Sequence, residues 1–382
     1  MNKKIKMGLE FRFIKFIIIS LLVISMLGCE KKEKDETEFV EGKDGLVMSF
    51  IPNAPQDKYI VSNTDEPISI AIDVWNKGAH PGPPSDDDPG TLEEEDIFKG
   101  GVISISGFDN NIIEIEKKEI CIKYDPSDFT CIEKKEVVKN FKSFLEQDVY
   151  LPPASPLNPR GGLYTTEFDG NIKVNKIVVD KYEPTILVTA CYPYFTHAAP
   201  SVCIDPFPFD TRQEKVCNIG GKTLEPQGAP VAITKIEQEA SKGKIRFKIT
   251  IENVGKGDVI WANELVWPSE LSGLVPLMAL IDRCSPADLG PDPKILDRKD
   301  FDKVQLIEVK VANADLLEGG KCTPFMEGTN NIIRLFDGEG LVICTYDVPS
   351  DTESAYITPI SIKLSYAYRS TISKPISIKK IE

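Results

Sequence analysis

Histidine is almost missing from this chain, His80 and His197 being its two imidazoles. Most nucleophile–base pairs and zinc–water devices need a histidine in a defined context, so this scarcity narrows catalysis before any motif is sought. The motifs are missing as well: there is no G-x-S-x-G elbow, no H-E-x-x-H, no Walker loop and no dinucleotide glycine fingerprint. His80 lies in a proline loop and His197 in a cysteine-rich connector, where solvent-facing or structural roles are expected. No apolar run after residue 30 is long enough to span a bilayer, and no basic stripe with interleaved aromatics occurs. With 59 acidic and 45 basic residues, the formal charge of −14 repels polyanions and argues against nucleic acid as a partner. A carboxylate pair of the glycosidase kind is not singled out among so many acids. The chain is therefore expected not to be an enzyme, with a surface hydrolase as the outside reading.

What is present is β structure. Glycine and proline are plentiful, at 26 and 28, and the apolar runs are short and alternating, which favours an all-β body. One stretch occurs twice. The run Thr185-Ile186-Leu187-Val188-Thr189-Ala190-Cys191-Tyr192-Pro193-Tyr194 alternates and ends in Tyr-x-Tyr, and Pro359-Ile360-Ser361-Ile362-Lys363-Leu364-Ser365-Tyr366-Ala367-Tyr368 repeats it. Upstream of each sits a second pair of landmarks: Ile68-Ser69-Ile70-Ala71-Ile72-Asp73-Val74 before Asn76-Lys77-Gly78, and Ile245-Arg246-Phe247-Lys248-Ile249-Thr250-Ile251 before Asn253-Val254-Gly255. The same order at nearly equal separation reads as two tandem copies of one β module. At 382 residues the chain is long enough for both to bury a core.

The N-terminus carries Lys3, Lys4, Lys6, Arg12 and Lys15 ahead of an apolar run over 16–27, the pattern of a signal peptide. It ends in Met26-Leu27-Gly28-Cys29, which resembles the lipobox of prokaryotic lipoproteins. That resemblance implies cleavage before Cys29, lipidation of its thiol, and an exported protein held on the outer face of the membrane by a lipid anchor. Residues 1–28 are then the signal peptide and 29–44 a charged tether.

Eight cysteines follow Cys29, an even count that behind a secretion signal points to disulfides rather than thiols. No C-x2-C pair offers a structural zinc site. Sequence alone does not choose among the many connectivities, but local pairs come first: Cys121 with Cys131 across a strong turn signal, Cys203 with Cys217, and Cys322 with Cys344. Cys191 and Cys284 are left, and their bond would staple one module to the other.

The first module is read over 45–202, with an acidic, proline-rich insertion at 77–99 that cannot be a core strand. Residues 134–147 have helical spacing, yet a short helix or a twisted edge strand fits equally. A cysteine- and proline-rich connector, 203–227, includes Pro206-Phe207-Pro208-Phe209, and the second module fills 228–382. Its stretch from Arg246 through Asn253-Val254-Gly255 resembles the strand and N-x-G turn of CARDB-type domains, immunoglobulin-like modules of bacterial and archaeal cell-surface proteins. Asparagine and glycine are expected there because both tolerate positive φ where a strand reverses. The resemblance implies two tandem immunoglobulin-like β-sandwiches.

Candidate ligand groups are few. Asp86, Asp87 and Asp88, with Glu93, Glu94 and Glu95, offer oxygens for a hard cation such as calcium, without the spacing of an EF-hand loop. No other cofactor is expected. Trp261 and Trp267 follow the second N-x-G turn, where sandwich loops cluster, and are the candidates for contact with an envelope protein or glycan; capping the core is the competing role. The tyrosines of the repeat are expected in the core. Taken together these features predict a non-catalytic, envelope-anchored binding, adhesion or structural module, or else a scaffolding or ligand-binding subunit of a larger envelope assembly.

Overall fold

Alternation decides the faces of the strands. In the computed structural model, Ile68, Ile70, Ile72 and Val74 are all buried to 2% exposure or less, while Ser69 and Asp73 between them are half-buried. The structure describes residues 42–79, 101–124, 131–138, 141–143, 151–155, 157–210, 214–260, 296–326 and 331–381. Among them the regular structure is β, with short 3₁₀ turns at Val174–Lys176, Arg298–Asp300 and Glu318–Gly320 and no α-helix. The all-β class expected from composition and patterning is the class observed.

The first half supplies β1 (Leu46–Phe50), β2 (Lys58–Val61), β3 (Glu66–Asn76), β4 (Val102–Ser106), β5 (Ile113–Ile115), β6 (Lys117–Tyr124), β7 (Cys131–Val138), β8 (Phe141–Ser143), β9 (Leu163–Ile172), β10 (Lys181–Tyr182), β11 (Thr185–Ala198) and β12 (Ser201–Ile204). The second supplies β13 (Lys222–Thr223), β14 (Val231–Ser241), β15 (Lys244–Asn253), β16 (Asp258–Ile260), β17 (Lys303–Val311), β18 (Ala314–Asp315), β19 (Cys322–Thr323), β20 (Ile332–Arg334), β21 (Glu339–Asp347), β22 (Tyr356–Pro375) and β23 (Ser377–Lys380). Each half builds a sheet of its own, β1-β3-β9-β5 in the first and β13-β14-β15-β21-β19 in the second. These sheets correspond: β1 pairs with β3 so that Leu46 faces Asn76, and β14 pairs with β15 so that Val231 faces Asn253.

The remaining large sheet belongs to both halves. Its order is β18-β17-β22-β11-β4-β8, with β12 and β16 also on β22 and β20 on β17. At its centre the two repeated strands pair with each other, antiparallel, from Thr185↔Pro375 to Ala198↔Ile362. Tyr192 lies opposite Tyr368 and Tyr194 opposite Tyr366, so the two copies of the repeat are related by an approximate two-fold at Pro193↔Ala367. The last strand crosses over as well, since β23 lies between β10 and β2 of the first half. Buried side chains of both halves form one continuous core, and residues 37–382 form one compact unit.

Several local expectations change in this frame. Residues 131–138 and 141–143 are strands, which settles the choice between helix and strand where those residues are described. β6 and β7 do pair, but in a register that sets Cys121 across from Lys134 and Cys131 across from Tyr124 rather than the two cysteines face to face. Both repeated strands run beyond their Tyr-x-Tyr ends, because their ladder with each other continues from Thr185↔Pro375 to Ala198↔Ile362. His197 is accordingly on β11 and not in a connector. The Asp337-Gly338 turn forms with positive φ at both residues, as the dipeptide predicts, yet its flanking strands separate beyond Phe336↔Glu339, β20 joining β17 and β21 joining β15.

Candidate functional site

The four tyrosines of the repeat meet at the junction. Tyr192, Tyr194, Tyr366 and Tyr368 are buried, with ring centroids 5.8 Å apart for Tyr192 and Tyr194, 6.0 Å for Tyr192 and Tyr368, and 6.2 Å for Tyr194 and Tyr366. Each hydroxyl is hydrogen-bonded, as burial demands. Tyr192 accepts from the Leu46 amide at 3.0 Å, and its counterpart Tyr366 accepts from the Val231 amide at 3.3 Å. Tyr194 donates to the Gly228 carbonyl at 3.2 Å, whereas Tyr368 accepts from the Gly257 amide at 2.6 Å. Burial pushes the Tyr192 and Tyr366 hydroxyls well above the ordinary tyrosine range, and Tyr368 up to about 12.

This packing explains the N-x-G turns differently from the expectation of positive φ. Neither Gly78 nor Gly255 has positive φ. A Cβ on Gly78 would lie 1.7 Å from the Tyr194 hydroxyl, and one on Gly255 would lie 2.2 Å from the Tyr368 hydroxyl. The glycines make room for the second tyrosine of each repeat. The asparagines close the turns by side-chain bonds: Asn76 Oδ1 accepts from the Gly78 amide at 3.2 Å, and Asn253 Nδ2 donates to the Gly257 carbonyl at 3.0 Å. These tyrosines are structural, core residues of the junction.

On the outer face of the shared sheet, His197, Ser361, Glu308, Lys363 and Lys310 come together from three neighbouring strands. A β-bulge in β17 between Leu306 and Glu308 makes this possible, because Leu306 and Val309 both point into the core while Glu308 turns outward. Ser361 Oγ donates to Glu308 Oε1 at 2.5 Å and lies 3.1 Å from His197 Nε2. Lys363 and Lys310 approach Glu308 Oε2 at 3.2 and 3.1 Å. Burial raises the Glu308 carboxyl, but the Ser361 hydrogen bond and the two lysines outweigh it and hold it below the usual carboxylate range. Crowding of the imidazole and the Lys363 ammonium lower His197, with Glu308 opposing. A nucleophilic serine needs the histidine to take its proton and a carboxylate to orient that histidine. Here the serine hydroxyl directs its hydrogen bond to the Glu308 carboxylate rather than to His197, and the lysines make that carboxylate a weak base. The cluster clasps β11, β22 and β17 together.

A polar depression of about 390 Å³ opens on the outer face of the first sheet, between residues 51–57 and β9. Asn53, Gln56, Ser69, Asp169, Asn171 and Glu116 line it, and Ser69 Oγ is buried there with no hydrogen-bond partner among the described residues. Elsewhere, two of the expected disulfides are present. Cys203 bonds Cys217, and Cys322 bonds Cys344, its cross-strand neighbour. Such bonds belong to chains that fold in an oxidising, extracytoplasmic compartment. Cys191 is also disulfide-bonded. Cys29, Asp86, Asp87, Asp88, Glu93, Glu94, Glu95, His80, Trp261, Trp267 and Cys284 lie outside the described residues, as do the side chains of Cys121 and Cys131. Among the described residues there is no group of three or more His, Cys, Asp or Glu that could hold a metal ion, and no helix long and apolar enough to cross a membrane. No protein-family model matches the chain, and no curated protein is significantly similar to it.

Proposed function

We propose that this chain is an exported, lipid-anchored protein of the cell envelope whose body is a non-catalytic binding, adhesion or structural module. The observation that carries this reading is the disulfide bonding of a β body that follows a leader ending in a lipobox-like Met26-Leu27-Gly28-Cys29. The two related sheets, facing one shared sheet, support an immunoglobulin-like sandwich plan for both halves, in keeping with the CARDB-like turn. The His197–Ser361–Glu308 geometry supports a stabilising role for that cluster. A second reading, a ligand-binding subunit of a larger envelope assembly, is favoured by the polar depression around Ser69. Cys29→Ser tests the anchor. The substituted protein is expected in the soluble fraction or as an uncleaved precursor, and unchanged processing and membrane fractionation would refute lipidation at Cys29.

A further inference from the structure

Within the segment closed by the Cys203–Cys217 bridge, residues 205–210 and 214–216 are tied to one another. Lys215 Nζ lies 2.6 Å from Asp205 Oδ2 and donates to the Phe207 carbonyl at 2.7 Å, in a pair whose side chains are only 17% and 5% exposed. Asp205 Oδ1 accepts from the Phe207 amide at 2.9 Å, and the Asp210 amide donates to the Phe207 carbonyl at 3.0 Å. Gln238 brackets the root of the loop, donating to the Cys203 carbonyl at 2.8 Å and accepting from its amide at 3.4 Å.

What this frame holds outward is apolar. Phe207 is 50% exposed, Phe209 79% and Val216 72%, and Ile357, opposite Cys203 in the ladder, is 59% exposed. Single exposed apolar residues are ordinary, but four around one braced loop mark an interaction surface. Because residues 205–210 are already tied to Lys215, a partner covering the phenylalanines costs little conformational freedom there.

We propose that Phe207, Phe209, Val216 and Ile357 form a docking surface for an apolar protein segment flanked by lysine or arginine. The proposal rests on the reading of the body as a binding module and supplies the chemistry of its partner. Charge complementarity selects that partner. Phe207 and Val216 share a small cleft of about 70 Å³ with Glu214 and Glu353. Among the described residues neither glutamate has an ion pair, while Lys215 is neutralised by Asp205. Segments 205–210, 214–216 and 351–355 together hold five acidic residues and one basic one, Lys215. An anionic bilayer would accept the phenylalanines but repel these carboxylates. A basic, apolar peptide gains from both features.

The full chain, immobilised with its disulfides intact, is to be used to select binders from a displayed library of random peptides. The selected peptides are expected to combine aromatic or aliphatic residues with Lys or Arg. A synthetic peptide of that kind should bind at least about tenfold more weakly to Phe207→Ser/Phe209→Ser, and more weakly to Glu214→Lys/Glu353→Lys. Mapping of Cys203–Cys217 and thermal melting check that both variants fold. No enrichment, enrichment without basic residues, or equal binding to the phenylalanine variant overturns the proposal. Flotation with phosphatidylcholine/phosphatidylglycerol vesicles that disappears in Phe207→Ser/Phe209→Ser would instead make the surface a lipid contact. For that arm the lipid-free Cys29→Ser chain is used. Failure of the docking proposal leaves the fractionation result for Cys29→Ser untouched, so the two readings fail separately.

Discussion

The two halves of this protein solve the same packing problem with different partners. In each, a strand of the half's own sheet gives a backbone amide to the first tyrosine of the repeat, Leu46 to Tyr192 and Val231 to Tyr366. In each, a turn glycine leaves space for the second tyrosine. The halves differ in where the other hydroxyls go. Tyr368 is bonded within its own half, by Gly257, but Tyr194 reaches Gly228 and Thr196 donates to the Val231 carbonyl, both in the second half. The N-terminal edge follows suit, Gly42 pairing with the 226–229 segment through Pro226 and Ala229. Equivalent cores thus come from the repeat, and the union of the halves comes from bonds that break its symmetry.

The largest effect that could break this comparison is expected from Ile362→Asp. Ile362 is fully buried on β22, opposite Ala198 of the first half and Val309 of the second. An unpaired buried carboxylate costs several kcal/mol against a domain stability of about 5–15 kcal/mol. Because the core is continuous, both halves should melt together in one calorimetric transition. A stable N-terminal fragment surviving proteolysis near residues 223–228 would show instead that the halves hold independently.

A smaller effect sharpens the equivalence of the turns. Gly78→Ala should cost about 3 kcal/mol or more, because the added Cβ also meets the Gly228 and Asp44 carbonyls, at 2.5 and 2.7 Å. Gly255→Ala should cost about 1–3 kcal/mol, its clash being chiefly with the Tyr368 hydroxyl. Adding Tyr368→Phe should recover part of the second loss, and Tyr194→Phe less of the first. Chemical denaturation of the singles and doubles measures both cycles, and equal rescue in the two halves would count against the backbone clash at Gly78.

The smallest expected effect is in alkali. Burial raises the folded-state pKa of Tyr192 and Tyr366, and of Tyr368 to about 12. Above pH 10 the unfolded chain therefore releases tyrosine protons that the folded chain retains, so stability falls as pH rises. The contribution is complete below pH 10 and, for Tyr368, is lost as pH climbs through about 12. Tyr366→Phe should flatten this alkaline limb while costing about 1–3 kcal/mol at neutral pH, since the Val231 amide loses its acceptor. Melting curves between pH 8 and about 11.5 read both effects, and an unchanged slope would argue against a buried hydroxyl.

The sequence by itself determined which side of each strand is buried. A strand's faces alternate every residue, so Ile68 to Val74 and Ile360 to Leu364 announce their inward positions whatever they pair with. Even the bulge can be seen in β17, where apolar residues at 304 and 306 give way to 309 and 311. Short-range cysteine pairs and the Asp337-Gly338 turn were legible for the same reason, being local. Only the tertiary structure decided which strands meet. Backbone donors and acceptors are the same in every strand, so nothing in the alternation of β11 distinguishes β22 from any other partner, nor foretells that β23 returns to the first half. The reason for Gly78 and Gly255 was hidden likewise, because the hydroxyl that excludes a Cβ arrives from a tyrosine more than a hundred residues away in the chain, as the 111-residue separation of Gly257 and Tyr368 shows. The phenylalanine loop joins both kinds of information. Its aromatics and cysteines are written in order along the chain, but their exposure depends on Asp205 holding Lys215, on Gln238 holding Cys203, and on β22 leaving Ile357 beside them.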